Sequence, residues 1–492
     1  MKFLELAAIL PNAIKLNTYL NPEISGIEQD SRKVKTGSLF VCIEGHQFDG
    51  HLFAKEAVER GAVAIVAGKE LDVPVPVLMV KDTTKAMAVL ADTFYGQPSH
   101  DLFLIGITGT NGKTSISHMV WHVFQKAGKK AGLIGSLYGK IGNETIPTQN
   151  TTPDSLTLQK IFQQMVDAKV EVTSMEVSSH ALEQGRVLGT DFNVAVFSNL
   201  SQDHLDYHGT MEHYREAKGL LFSRLGNIYQ KEKPQYSILN ADDPISEYFR
   251  KLTASHILTY GIENEANVMA KDLRFGRNQT RFRLLTTKGE QIVYLPIAGL
   301  FNVYNALAAI SVCLAYGLDP NTILYGLSTF SGVPGRFELV DEKQPFTVIV
   351  DYAHTPDGLE NVLKTARRMA KKRLFVVVGC GGDRDRSKRP LMAQVACRNA
   401  TDPIFTADNP RSEDVRMILQ DMEAGVQGEK YLIIPDRKSA IEHAVFSAGE
   451  EDVILIAGKG HETYQIIGDS KIEFDDRIVA REAIRKRYRH LS

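Results

Sequence analysis

A chain of 492 residues is too long for one hydrophobic core and should divide into two to four domains. Hydrophobic residues make up 43% and charged residues 24%, the balance of an ordinary globular protein, and 57 basic against 59 acidic residues leave a net charge of −2. That near-neutrality excludes a global field for nucleic acid or an anionic membrane, and four scattered cysteines (Cys42, Cys313, Cys380, Cys397) without C-x-x-C spacing suit a reducing cytoplasm and offer no zinc site.

The opening stretch MKFLELAAILPNAIK has a short apolar run interrupted by Glu5, with no small-residue cleavage site after it, so it reads as an amphipathic helix rather than a signal peptide. Nowhere do about 18 apolar residues follow one another, so no transmembrane helix is expected. Residues 1–98 mix short strands (GSLFVCI, AVAIVAG, VPVLMV) with a helix around GHLFAKEAVERG and form a small α/β domain, ending at the linker QPSHD. Residues 99–333 form a second domain. Its buried-strand candidates LFLIGIT, VEVTSMEV, FNVAVFSN and QYSILN alternate with helical patterns, which predicts a mostly parallel sheet covered on both faces. Between 255 and 296 the alternation RFRLLTTKGEQIVYLPI predicts an antiparallel meander turning at KG. The helix NVYNALAAISVCLAYG closes the block with Gly317 as its C-cap. Residues 334–492 carry strand candidates FTVIVDYA, RLFVVVGCGG, DPIFTAD, KYLIIP and DVILIAGKG between helical segments, a doubly wound Rossmann-like α/β domain whose ligands sit beyond the carboxyl ends of the strands.

The stretch LFLIGITGTNGKTS (102–115) carries the clearest chemistry. Gly109, Thr110, Asn111, Gly112, Lys113, Thr114 and Ser115 follow a strand and open a helix, the setting in which backbone N–H groups and a helix N-terminus cradle phosphate. Lys113 is placed against the β- and γ-phosphates and the Thr114 hydroxyl on Mg²⁺. Counted from Gly106 the loop is one residue longer than G-x-x-x-x-G-K-[ST], which argues against the common P-loop families. A turn that merely ends a strand is the plainer alternative; ATP binding is the reading adopted.

Further along, SMEVSSHAL puts Glu176 at a strand end, and NLSQDHLDYHG puts His204 just after the next strand. The two could share a divalent ion against the γ-phosphate. Equally, Glu176 could cap the following helix, and His204 could cap or pair with Asp203 or Asp206. On composition, Lys218 in HYREAKGLLF is a solvent-facing helical lysine. The motif DNPR (Asp408, Asn409, Pro410, Arg411) holds a guanidinium able to grip a carboxylate through two parallel hydrogen bonds, although surface arginines in turns are common.

GTNGKTS is similar to the ATP loop of the Mur ligase family, whose members join amino acids to a peptidoglycan precursor; folylpolyglutamate synthases share that fold and a related loop. The resemblance extends over essentially the whole chain. It implies that Glu176 and His204 hold Mg²⁺ and that Lys218 is N-carboxylated to supply a carboxylate for the second of two Mg²⁺ ions. It also implies that Asn302 and Asn305 lie at the adenine side, and that Arg336, Asp351 and His354 close on ATP, Arg336 facing the transferring phosphoryl group. Matching positions in the tripeptide-forming members hold UDP-N-acetylmuramoyl-L-alanyl-D-glutamate: Asn150, Thr151, Thr152, Ser178, Gln184 and Arg186, with Ser31, Gly45, His46 and Gln47 at the uridine. Arg411, Arg384, Asp408, Asn409, Pro410, Gly458 and Glu462 are implied to take meso-diaminopimelate, because that amino acid is lysine with a second carboxylate at its far end.

The implied reaction is an ATP-dependent ligation through an acyl phosphate, in the cytoplasm and by a monomer, with the third domain swinging to deliver the amine and no general base identified. Its rivals are a lysine-adding ligase of the same family, against which Arg411 speaks, and a folylpolyglutamate synthase, which would leave DNPR and the N-terminal domain without a role. From another class comes a non-catalytic nucleotide-sensing scaffold, which has no need of Lys113, Glu176, His204 and Lys218 together.

Overall fold

The computed structural model describes residues 1–10, 13–16, 20–45, 48–228, 233–276 and 278–488. It has a three-domain α/β architecture, and its contacts group the chain into two compact units. The first is Met1–Thr108, Gly128–Ala195 and Leu220–Gln235; the second is Gly109–Ala127, Val196–Gly219 and Tyr236–Ser492.

In the first unit, β1 (Lys15–Leu16), β2 (Gly26–Glu28), β3 (Ser38–Val41), β4 (Ala62–Ala67) and β5 (Val77–Met79) form a sheet in the order β1-β5-β4-β3-β2, parallel except at β1. Both faces are covered: Leu39, Val41, Ala64 and Val66 point to one apolar cluster, Phe40, Ile65 and Ala67 to the other. Such period-two burial on both sides is why these strands read as continuous apolar runs. The predicted first helix is shorter than its pattern, Phe3–Ala8, and the second begins as a 3-10 turn, Gly50–Phe53, before Ala54–Glu59.

The same unit carries β6 (Phe103–Thr108), β7 (Ala131–Ile134), β8 (Gly139–Ile141), β9 (Glu144–Ile146) and β10 (Val172–Glu176). β10 pairs in parallel with β6 and β7, and β7, β8 and β9 continue antiparallel. Gly106 sits inside β6, where a Cβ would lie 2.8 Å from the Phe192 ring. It is a packing glycine, so the phosphate loop starts at Gly109 and the register counted from Gly106 has no structural basis. β11 (Val194–Phe197) crosses the boundary of the two units.

In the second unit, β12 (Tyr236–Asn240), β13 (His256–Gly261) and β14 (Val268–Phe275) are parallel, and β14, β15 (Thr280–Thr286) and β16 (Gly289–Leu295) are antiparallel. The predicted meander is therefore β14–β16, its first expected strand having joined the parallel part. Its tight turn is Thr287-Lys288, with Gly289 at φ 118° opening β16. The helix Leu300–Tyr316 ends at Gly317 in the left-handed conformation, as its pattern predicts.

β17 (Glu338–Val340), β18 (Thr347–Asp351), β19 (Leu374–Val378), β20 (Asp402–Phe405), β21 (Leu432–Ile433) and β22 (Val453–Ala457) build a sheet in the order β17-β18-β22-β19-β20-β21. β17 is antiparallel and escapes the sequence reading, as does the hairpin of β23 (Tyr464–Ile467) and β24 (Ser470–Glu473). Leu374, Val376 and Val378 face the helices Pro356–Met369, Lys388–Asn399 and Val415–Glu423, whereas Phe375 and Val377 face Arg437–Ser447 and Asp476–Tyr488. The domain is doubly wound, and the carboxyl ends of β18, β19, β20 and β22 are left to carry a ligand.

Candidate active site

Gly109 (φ 144°) and Gly112 (φ 89°) occupy backbone regions closed to other residues. A Cβ on Gly109 would collide with Ser198 Oγ, and one on Gly112 would lie 2.6 Å from Asn305 Oδ1. The loop is clamped by the segment after β11, which the sequence reading overlooked. Thr110 N–H donates to Asn199 O (2.8 Å), Asn111 N–H to Asn199 Oδ1 (3.0 Å) and Ser198 Oγ–H to Asn111 O (2.6 Å). Lys113 Nζ folds back on Gly109 O (2.9 Å) and Thr110 O (2.8 Å). From there the helix Lys113–Lys126 carries its N-terminus, Thr114 and Ser115 included, to the loop's open side.

Lys218 is not the solvent-facing lysine its composition suggests: it is 1% exposed. Its Nζ donates to Gly109 O at 3.0 Å and lies 4.3 Å from the centre of the Tyr214 ring. Burial, then the like charge of Lys113, drive its pKa well below the usual ammonium value against the pull of Asp203. His204 takes the left-handed conformation (φ 55°) and pairs with Asp203 (Nε2 to Oδ2, 3.2 Å), and the side chain does not cap the helix that follows. The pairing with Asp203 is one the sequence allowed, but Asp203 also has partners it did not show: His354 lies at 3.6 Å and Lys388 at 3.7 Å.

Arg336 Nη2 donates to Thr114 Oγ1 (3.2 Å), and its guanidinium lies 4.3 Å from the centre of the Tyr352 ring. Its Nη1 is buried without a hydrogen-bond partner, the mark of a cation shaped for an absent anion. Asp351 accepts from Phe337 N–H (2.6 Å) and Ala353 N–H (2.7 Å), so it fixes the backbone beside Arg336. Burial, opposed chiefly by Arg336, raises its pKa. Asn302 bonds Ala298 O (2.8 Å) and orients Asn305 (3.3 Å) toward Gly112. Asn111 reaches Asp357 at the start of Pro356–Met369 (3.1 Å).

At the ends of β20 and β22 a second cluster forms. Asn409 donates from Nδ2 to Glu462 Oε2 (2.8 Å), while its Oδ1 accepts from Lys459 Nζ (3.1 Å) and Ile466 N–H (3.0 Å). Arg411 (φ 52°) is held by Gly382 O (2.6 Å), and its pKa is lowered by burial and then by the charge of Arg384. Arg411 Nη1 and Arg384 Cγ both approach Gly381, 2.9 and 3.8 Å from where a Cβ would stand. Asp408 Oδ2 would stand 2.5 Å from a Cβ on Gly458, and Pro410 O closes on Gly382.

In the first unit, Glu176 is buried at the end of β10 and takes Ser136 N–H on Oε1 (2.9 Å) and Ser136 Oγ–H on Oε2 (3.2 Å). The cap of the following helix is Ser178, which accepts from Ala181 N–H. Thr152 Oγ1 donates to Glu176 O (2.9 Å), Thr151 Oγ1 meets Ser136 Oγ (2.9 Å), and Arg186 joins Thr152 O (2.9 Å) to Gln184 Oε1 (2.7 Å). Asn150 lies in the loop before them. Ser31 bonds Glu56 (3.2 Å), and Gly45 N–H closes on Phe48 O (2.9 Å); His46 and Gln47 lie outside the described residues. Below that loop His51, unnoticed in sequence, accepts Gly68 N–H on Nε2 (2.9 Å) and so donates from Nδ1 to Asp49 (2.5 Å).

A clamped phosphate loop beside a guanidinium with one unpartnered nitrogen, together with a polar cluster at the strand ends of a doubly wound domain, fits a nucleotide-dependent ligase. Three family models match in succession: "Mur ligase family, catalytic domain" over 23–95, "Mur ligase middle domain" over 107–313 and "Mur ligase, glutamate ligase domain" over 335–460. The chain belongs to the Mur ligase family and is an ATP-dependent, amide-bond-forming ligase.

Among its relatives, the UDP-N-acetylmuramoyl-L-alanyl-D-glutamate–2,6-diaminopimelate ligase of Geobacillus thermodenitrificans is 59% identical, covering 95% of this chain and 96% of the relative. The protein of that name from Geobacillus kaustophilus is 57% identical over 99% and 100%. A solved structure of a ligase with the same name aligns with a TM-score of 0.66 at 35% identity, covering 94% of this chain and 95% of that one. The ADP complex of MurF from Thermotoga maritima (TM-score 0.62, 18% identity, 94% of this chain and 97% of that one) shares the fold. No helix among the described residues is long and apolar enough to cross a membrane.

Proposed function

We propose that this ligase joins meso-2,6-diaminopimelate to the D-glutamate side-chain carboxylate of UDP-N-acetylmuramoyl-L-alanyl-D-glutamate, with ATP as co-substrate, in cytoplasmic peptidoglycan synthesis. The full-length relatives carry that activity in their names. The observation that supports the choice of amino acid is the approach of Arg411 and Arg384 to the same glycine, Gly381, beside the Asn409–Glu462 pair. Two like charges held together call for an anion, and a fork matches a carboxylate. Lysine offers none at its far end. Glu462, with Asp408 and Gly458 next to it, then suits the neighbouring ammonium.

The carboxylate oxygen of the D-glutamate side chain attacks the γ-phosphorus, the bond to the bridging oxygen breaks, and ADP leaves an acyl phosphate. The neutral amine of diaminopimelate adds to the acyl carbon; the tetrahedral intermediate collapses to the amide, expelling phosphate as the nitrogen loses its proton. Lys113 and Arg336 meet charge on the phosphoryl oxygens where it grows. Asn302 and Asn305 support the loop from the adenine side. Thr151, Thr152, Ser178, Gln184 and Arg186, with Asn150, serve the dipeptide, and Ser31 and Gly45 the uridine side. Residues 1–98, 99–333 and 334–492 divide these tasks among three domains.

Lys218 fits N-carboxylation: a buried neutral amine adds to CO₂ at carbon and loses a proton, giving a carbamate. The carbamate would supply a metal-ligating oxygen beside the phosphate loop. Thr114 and His204 would join it as Mg²⁺ donors, and Glu176 is proposed as a further Mg²⁺ ligand, for two ions in all. When bound, they neutralise charge on the transferring phosphoryl group.

The test is phosphate release from ATP, Mg²⁺ and the UDP-muramoyl dipeptide with diaminopimelate or lysine added. Release is expected with diaminopimelate alone. Preference for lysine sinks the role of Arg411, and release with neither sinks the proposed acceptor.

A further inference from the structure

Arg437 opens the helix Arg437–Ser447 and forms an ion pair with Asp476 in which both side chains are 0% exposed. Nε and Nη2 make a two-pronged contact with the Asp476 carboxylate at 2.8 and 2.7 Å. The fork does more than pair. Nη1 donates to Ala407 O (3.2 Å), and Nη2 also donates to Ala457 O (2.9 Å).

Those carbonyls belong to the peptide bonds that lead into Asp408 and Gly458. β20 and β22 are not neighbours; β19 lies between them and stops at Val378. Beyond that point the chains after β20 and β22 converge. A Cβ on Gly379 would collide with Thr406 O, and one on Gly458 would lie 2.5 Å from Asp408 Oδ2. The Ala457–Gly458 peptide is held on both edges, its carbonyl by Arg437 and its N–H by Asp351 O at 3.1 Å. One guanidinium thus ties two strand ends across the gap left by a third.

We infer that Arg437, braced by Asp476, is a positioning residue for the amino-acid site, setting the spacing at which Asp408 and Gly458 meet the incoming diaminopimelate. This rests on the reading of the Asp408–Glu462 cluster as that site. Stability alone does not account for the pair: a buried ion pair often gives way to apolar residues of similar volume at no cost in stability. What an apolar pair cannot do is hold two carbonyls at a set separation. Lysine would keep the charge but, as a single point, cannot span Asp476 and both oxygens.

The experiment compares Arg437→Met/Asp476→Leu and Arg437→Lys with the unaltered enzyme, measuring thermal unfolding and KM for each of the three substrates. The double variant should unfold within a few degrees of the unaltered protein. Its KM for diaminopimelate should rise about tenfold or more, with KM for ATP and the UDP-muramoyl dipeptide held within about twofold. Arg437→Lys should fall between the two. A rise in all three KM values together, no rise in any, or failure of both variants to fold overturns the inference. Unaltered enzyme that does not use diaminopimelate overturns the underlying reading instead, and the variants then have nothing to report on.

Discussion

The Lys218 amine donates to the carbonyl of Gly109, 3.0 Å away, so the residue that opens the phosphate loop and a buried amine share one hydrogen bond. A charged lysine buried at 1% exposure without a carboxylate within bonding distance is costly, and that burial drives its pKa well below the usual ammonium value.

Lys218→Ala should therefore keep the fold while activity falls by about a hundredfold or more, because the chemistry loses a charged group that positions the phosphoryl transfer. Formate or acetate, entering the space left, should restore part of the rate by replacing the carbamate's oxygens. Phosphate release with and without added carboxylate checks this. Full activity of Lys218→Ala in the absence of any carboxylate would contradict it.

Arg336 offers a second measurement. Its Nη2 is engaged by Thr114 Oγ1 while Nη1 is buried and partnerless. Arg336→Lys keeps the charge but not the fork, and kcat should drop by about 10²–10³ with KM for diaminopimelate little changed. An equal rise in the amino-acid KM would place Arg336 at the wrong substrate.

Gly109→Ala meets two obstacles at once, a backbone at φ 144° and Ser198 Oγ in the space a Cβ needs. Catalysis should be lost, and ATP should no longer raise the unfolding temperature as a ligand that binds only the native state does. Removing the hydroxyl with Ser198→Ala in the same chain relieves the collision but not the dihedral, so rescue should be incomplete.

How far the sequence reached depends on whether a feature is local. The loop 109–115 and the strands of the doubly wound domain are contiguous apolar or glycine-rich runs, and they stand where their patterns place them. β17 and the β23–β24 hairpin are short or exposed, with no period to betray them. Lys218 shows the deeper limit. HYREAKGLLF is polar enough to suggest a solvent-facing lysine, and only Gly109, Lys113 and Tyr214, all distant in sequence from it or on another turn, reveal the burial. The same holds for Asp203, Ser136 and Arg437: each is an ordinary polar residue in its own segment and gains a role from partners many residues away. Gly106 misled for the opposite reason, since a glycine beside a phosphate loop imitates part of it while serving the Phe192 ring.

The loops bearing Arg384 and Arg411 are tied together by charge, and acid should loosen them. Glu413 binds Arg389 through two bonds, at 2.7 and 2.9 Å, and accepts Asp383 N–H at 2.6 Å. Hydrogen bonding by Arg389 is the main cause lowering its pKa from 4.5 to about 2. A carboxylate whose pKa is lower folded than unfolded stabilises fully above the unfolded value, and that stability is lost as pH falls through the folded one. The window is therefore pH 4.5 down to about 2. A shift of this size corresponds to about 3 kcal/mol at most, and partial exposure trims it to roughly 1–2 kcal/mol. Glu413→Gln should lower the unfolding temperature by a few degrees at pH 7, and the gap from the unaltered protein should narrow as pH approaches 3. Because Asp383 precedes Arg384, the same variant should raise the KM for diaminopimelate at pH 7 and leave that for ATP alone. A gap that stays constant across the window would assign the anchoring to Asp421, which also binds Arg389 at 2.8 Å.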